Sequence, residues 1–259
     1  MSTTTTATTA VPQRTAPIRG QSFPLLVRTE LRKSLDTRSG RVLVALIVLL
    51  ALAGLVFRVV KADGSVTYET VLETGLAPVQ LFLPVLGILA MTSEWSKRTA
   101  LTTFTLSPRR VRVLIAKLVA AIVLSVTVAL SIAALSILAT ALAGSVAGTD
   151  PSYDNMARVV AGSTVALALS VLMAAAFGAL VTVTGVALVL YFVVPNVWVV
   201  VSTLVFKDNS DYTDAWSAMG RVADFQFDVD LAQTITSLTM WVVLPLVVGL
   251  FVASRREVK

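Results

Sequence analysis

The sequence predicts an all-α, polytopic membrane protein with six transmembrane helices, an N-terminal amphipathic interfacial helix and both termini in the cytoplasm. Three observations carry this. Of the 259 residues, 56% are hydrophobic and only 14% charged, against about 45–50% and about 25% in a soluble domain. So few polar side chains do not cover a water-facing surface. The uncharged residues gather into five long stretches, 42–57, 74–93, 118–149, 159–206 and 231–254. Basic residues crowd the segments on one side of these stretches, and acidic residues the other.

Residues 1–21 are rich in Thr, Ala and Pro and hold no apolar run of the length a secretory leader requires. They read as a disordered cytoplasmic tail. The segment 22–40 reads as the interfacial, or elbow, helix. Phe23, Val27, Leu31 and Leu35 recur every four residues, with Arg28, Arg32, Lys33 and Arg38 off that line. Ser22 and Pro24 supply a helix start. A basic amphipathic helix just before a span suits the membrane interface, its apolar side among acyl chains and its cations near anionic headgroups. The alternative is a short solvated helix.

The transmembrane domain is predicted over 41–254, followed by a cytoplasmic tail at 255–259. A hydrocarbon core of about 30 Å needs about 20 helical residues. Stretch 42–57 is short, but a snorkelling Arg58 lets Val59 and Val60 extend it. Stretch 159–206 runs to 48 residues, about 72 Å of helix. It must fold back, and Thr182-Val183-Thr184-Gly185 is the turn. That makes six spans. The N-terminal segment, the loop 93–117 and the C-terminal tail hold 16 of the 21 Lys/Arg and 4 of the 15 acids. By the positive-inside rule both termini are then cytoplasmic. The basic charge is a sidedness signal, and nucleic acid is not a partner.

Much chemistry is excluded. Without Cys there is no thiolate, disulfide or sulfur-ligated metal, and without His the usual neutral-pH acid/base is missing. The middles of the spans carry no Asp, Glu, Lys or Arg, whereas gradient-driven transporters keep ionisable groups there. No G-x-x-x-x-G-K-[ST] loop is present, so the chain holds no ATP of its own. It reads as a non-enzyme with no cofactor and no metal site. The six Asp of 207–230 raise calcium, but not in the order an EF-hand requires. Energy for uphill transport must therefore enter from elsewhere.

The cytoplasmic stretch after span 2 is the most informative. Ser107-Pro108 reads as the start of the helix that becomes span 3. Before it, Glu94 to Phe104 has the make-up of a short amphipathic helix, with Trp95 and Leu101 as apolar anchors and Glu94, Lys97 and Arg98 as polar contacts. Such an element suits docking; the other reading is a basic loop that only sets topology. In this order, Glu94, Thr99, Leu101, Ser107, Pro108, Arg109, Arg110, Ala116 and Lys117 resemble the permease subunits of type-2 ATP-binding-cassette (ABC) exporters. The family's glycine before the threonine is Arg98 here. The elbow helix and span 1 resemble residues 22–60, and the family's extracellular segment between spans 5 and 6 resembles 207–230.

The resemblance implies a bacterial plasma-membrane permease, paired with a second copy or a paralogue. Cytoplasmic ABC ATPase subunits would bind ATP and Mg. The coupling loop 93–112 would seat Glu94, Trp95, Lys97, Arg98, Thr99 and Leu101 on the ATPase. It also implies an extracellular gate in 207–230, where Tyr212, Trp216, Phe225 and Phe227 alternate with small residues, a pattern suited to interfacial or re-entrant helices. Pro78 and Pro84 are expected to break span 2, and Pro195-Asn196 and Pro245 to interrupt spans 5 and 6. Each is a packing kink or, for Pro195 and Asn196, part of a pathway or dimer interface. Gly144-x-x-x-Gly148 and Ala174-x-x-x-Gly178 would allow close helix approach. Two other classes remain, a six-span channel or facilitator and a membrane anchor of a larger complex.

Overall fold

A computed structural model describes residues 22–96, 110–181, 183–225 and 230–255. Helix α1 spans Phe23–Asp36 and α2 Arg38–Val60. Helix α3 spans Tyr68–Ser96, α4 Arg110–Ala147, α5 Met156–Val181 and α6 Thr184–Phe206. A 3-10 turn at Lys207–Tyr212 leads to α7 (Ala215–Ala223). The last span joins α8 (Leu231–Leu238) through a π turn at Thr239–Val243 to α9 (Leu244–Arg255). Six of these segments, α2 to α6 and Leu231–Arg255, are long and apolar enough to cross a membrane. The chain is an all-α multi-pass membrane protein, as its composition predicts.

Helix α5 is the hub. Of its most apolar window 61% is buried, against 17% in α2 and in α6, which therefore lie at the periphery. It packs against α3, α4, α6, α7 and α9, because small side chains let the helices close in. Ala174, Ala175 and Ala176 are fully buried, and a Cβ on Gly87 of α3 would lie 2.8 Å from the Val171 carbonyl oxygen. The Ala174–Gly178 spacing serves as expected, with Gly178 against the Ile88 carbonyl of α3. Gly144–Gly148 does not form a helix seam. Gly148 is left-handed (φ 66) and ends α4, whose Gly144 carbonyl accepts from Thr149 N at 3.1 Å.

The proline expectations are corrected for spans 2 and 5, since α6 continues as one helix through Pro195 and α3 is likewise uninterrupted. Helix α3 runs unbroken through Pro78 and Pro84; neighbouring helices hold the line even where an N–H is missing. In span 6 Pro245 falls in the first turn of α9, directly after the π turn that interrupts the regular helix there, as expected. The fold-back lies where the length argument puts it: α5 ends at Val181 and α6 begins at Thr184. Six crossings return the chain to its starting side. Accordingly Ala253 of α9 packs with Met91 of α3 and Leu114 of α4, beside α1.

Candidate functional site

On the side bearing both chain ends, α1 lies against α4, α2 and α3. Ser22 is the N-cap and a Pro occupies the first turn, as read from the sequence. The face turned to the bundle is centred on Leu26 and Glu30, both buried, with Phe23, Val27 and Leu31 half-buried beside them. Leu35, Arg28 and Arg32 are exposed. Thr37 separates α1 from α2 in an extended conformation (φ −71, ψ 146), and its hydroxyl accepts from Gly40 N at 3.1 Å. The turn is so tight that a Cβ on Gly40 would collide with the Ser34 carbonyl oxygen.

The buried carboxylate of Glu30 is held from two sides. Lys33 Nζ approaches Oε1 at 2.8 Å, and Lys117 Nζ, from the root of α4, approaches Oε2 at 2.6 Å. The Lys117 side chain is only 2% exposed. Lys117 was legible as one residue of the ordered motif, but its partner was not. The available signal was an acid one helical turn from Leu26, flanked by Arg28, Arg32 and Lys33.

Of the sequence-predicted coupling residues, Glu94 and Trp95 belong by backbone to the last turn of α3, with no break before Ser96. Their helix is thus the end of span 2, where a separate short helix was expected to begin. Lys97, Arg98, Thr99 and Leu101 lie outside the described residues, as do Ser107, Pro108 and Arg109. Thr92, one turn before them, is fully buried, its hydroxyl 2.8 Å from that of Thr184 at the start of α6.

Pro195 is buried in α6, and its missing N–H leaves the local ladder short of a donor. The carbonyl so freed is that of Tyr191, one turn back, whereas the Asn196 amide donates to Phe192 O at 2.7 Å while remaining exposed. Around it the outer face of α6 is aliphatic, with Val193, Val197 and Val200 exposed.

The opposite side is closed by a folded hairpin. The 3-10 turn descends from α6, and Asp214 caps α7, accepting from Trp216 N at 2.9 Å and from the Ser217 hydroxyl. Helix α7 packs on α5. Met219 Sδ accepts from the Ser170 hydroxyl at 3.0 Å, and the Ala223 carbonyl occupies the space a Cβ on Gly162 would need. The last span holds the hairpin from its other flank: Trp241 Nε1 donates to Thr213 O at 2.7 Å and Ser237 to Asp214 O at 2.7 Å. This side's arginines are spent on backbone and hydroxyl oxygens, which suits a fork of five donors. Arg221 donates to Thr234 Oγ1 at 2.9 Å and Asp211 O at 3.2 Å. Arg158 at the start of α5 donates to Asp224 O at 2.7 Å and Phe225 O at 3.2 Å. Phe225 is left-handed (φ 52), a strained state for a side-chain-bearing residue that Arg158 holds in place.

Of the four predicted gate residues, Trp216 enters the core, stacked edge-on to Tyr191 of α6 with centroids 6.2 Å apart. That contact joins the hairpin to α6 one turn before Pro195. Tyr212 is exposed, Phe225 half-buried in the turn, and Phe227 outside the described residues. The two connections flanking the hairpin are tied together as well. Tyr68 N donates to Ser152 O at 2.8 Å and Ser152 N to Val66 O at 2.9 Å, and Thr149 Oγ1 donates to Gly64 O at 3.0 Å. Sequence reasoning missed Tyr191, Arg158, Arg221 and Trp241. Only the arginines left a signal: cations isolated on the acidic side.

No protein-family model, curated protein or solved structure matches the chain.

Proposed function

We propose that this chain is the membrane-spanning permease subunit of an ABC exporter of the type-2 class, seated in a bacterial cytoplasmic membrane with both termini inside. The supporting observation is the pairing of two features. Among the described residues the buried charges are Glu30, Lys117 and Arg221, at the two ends of the bundle rather than mid-span. Meanwhile the basic stretch that follows α3 carries an ordered set of docking-type residues. A transport bundle without its own carboxylate or nucleotide loop needs an external engine. ATP binding would close the partner ATPase subunits, and the loop after α3 would pass that motion to α3 and α4. The hairpin 207–230 is the outer gate, with Trp216 against Tyr191 as its inner contact.

A second copy or a paralogue completes the pathway. The peripheral face of α6 supports this, since a carboxamide on an otherwise aliphatic lipid-facing surface is costly, and Asn side chains pair across helices.

Two experiments test the reading. The chain has no Cys, so single-Cys labelling is clean. Cys at Ser65, Ser152 or Ser210 should react with an impermeant reagent from outside, and Cys at Ser39, Ser107 or Ser254 should not. External labelling at position 254 would break the even number of spans. Separately, the purified chain should neither bind nor hydrolyse ATP, and activity should appear only on adding a separate ATPase; saturable nucleotide binding by the chain alone would refute the proposal.

A further inference from the structure

A lysine at the end of a membrane helix ordinarily snorkels to water. Lys117 does the reverse. It is 2% exposed and sits on a buried glutamate of another helix. Burying both charges carries a desolvation penalty that an apolar pair of similar volume would avoid, so such a pair is weak as a source of stability and well suited to fixing a position. The surrounding geometry says which position. Helix α1 has two attachments. At its C-terminal end it meets α2 through Thr37, an extended residue between two helices, locked by Gly40. Along its length it packs on α4, with Glu30 on Lys117. Ser34, one turn beyond Glu30, lines a small apolar recess with Leu83, Gly87, Ala121 and Val171, so the ion pair is the polar contact on this face of α1.

Lys117 lies two turns inside the start of α4 at Arg110, directly after the loop assigned above to ATPase coupling. We infer that the Glu30–Lys117 ion pair is a strut that makes α1 move as one body with the root of α4. A displacement of the root of α4 is then carried through α1 and the tight Thr37–Gly40 turn into α2, the first span. The strut deepens the coupling reading and, for its role in transport, rests on it. Glu30 and Lys117 are positioning residues and touch neither ATP nor cargo.

The test uses the full chain in lipid nanodiscs with spin labels on Cys at Arg32 of α1 and Val111 of α4, both exposed. In the wild-type protein the distance between labels should be narrowly distributed, and should stay fixed when the ATPase and ATP are added. Glu30→Gln, an isosteric change, and Lys117→Met should broaden it, and the swap E30K/K117E should narrow it again. With the ATPase present, Glu30→Gln should keep partner affinity within about twofold and lose tenfold or more of transport-coupled hydrolysis, whereas Trp95→Ala loses the affinity itself. A wild-type distribution in Glu30→Gln, or a wild-type distance that changes through the ATP cycle, overturns the strut. If Lys117→Met fails to insert, Glu30→Gln and the wild-type cycle still decide. Failure of the wild-type chain to bind any ATPase would defeat the coupling reading instead, and the distance measurement would still report on the strut.

Discussion

Trp95→Ala should weaken binding of the partner ATPase about thirtyfold while leaving membrane insertion and abundance near wild type. Trp95 lies in the final turn of α3, at the point where the chain leaves the bundle. Truncating a large aromatic anchor at the centre of an interface often costs about 2 kcal/mol or more, and about 1.4 kcal/mol is a factor of ten. Reversing Arg98 to Glu should weaken docking further if it faces acids on the ATPase. The competing reading, in which the loop only sets topology, makes the opposite statement. Sidedness depends on Lys and Arg and not on aromatics, so Trp95→Ala would be silent. Pull-down of the ATPase and transport-coupled hydrolysis, both normalised to permease, separate the two.

Gly162→Ala should loosen the packing of α7 on α5, although helix propensity alone favours Ala in the interior of α5 by about 1 kcal/mol. The new Cβ collides with the Ala223 carbonyl oxygen, a backbone atom that cannot turn aside. Forcing a methyl group into closed packing costs about 1–3 kcal/mol, so the clash wins. Gly220→Ala in α7 is the control, because a Cβ there has nothing within 4 Å; it should be neutral or stabilising. Protease cutting within 207–230, applied from outside to reconstituted protein, should therefore rise in the first variant and not in the second. Equal behaviour of the two would detach α7 from α5.

Span count and fold-back were legible because a bilayer imposes a length and α-helix has a fixed rise; 48 uncharged residues admit no other arrangement. The start of α1 was legible from Ser22 and Pro24. Its orientation was not: the four-residue stripe of Phe23 and Val27 pointed to one apolar face, whereas the packed line runs through Leu26 and Glu30. An acid joins a buried line only when a distant cation meets it, and Lys117 stands 87 residues away. The same limit hid the partners of Arg158 and Arg221, distant carbonyl oxygens and the Thr234 hydroxyl, which carry no sequence signature. Prolines misled in the other direction, since Pro78 and Pro84 forbid local hydrogen bonds but say nothing of the neighbours packed on α3, which continues through both. Trp216 was legible as an aromatic in an outer loop, yet its partner Tyr191 was hidden in an apolar run with no local mark.

If a separate ATPase drives the chain, the two should stay together through gentle extraction. Mild-detergent purification from its native membrane, followed by mass spectrometry of everything retained, tests that most directly. A soluble protein carrying a G-x-x-x-x-G-K-[ST] loop should be retained at one copy per permease, and lost from the complex in Trp95→Ala. Recovery of the intact chain with no nucleotide-binding protein, under conditions that keep it active in transport, would contradict it.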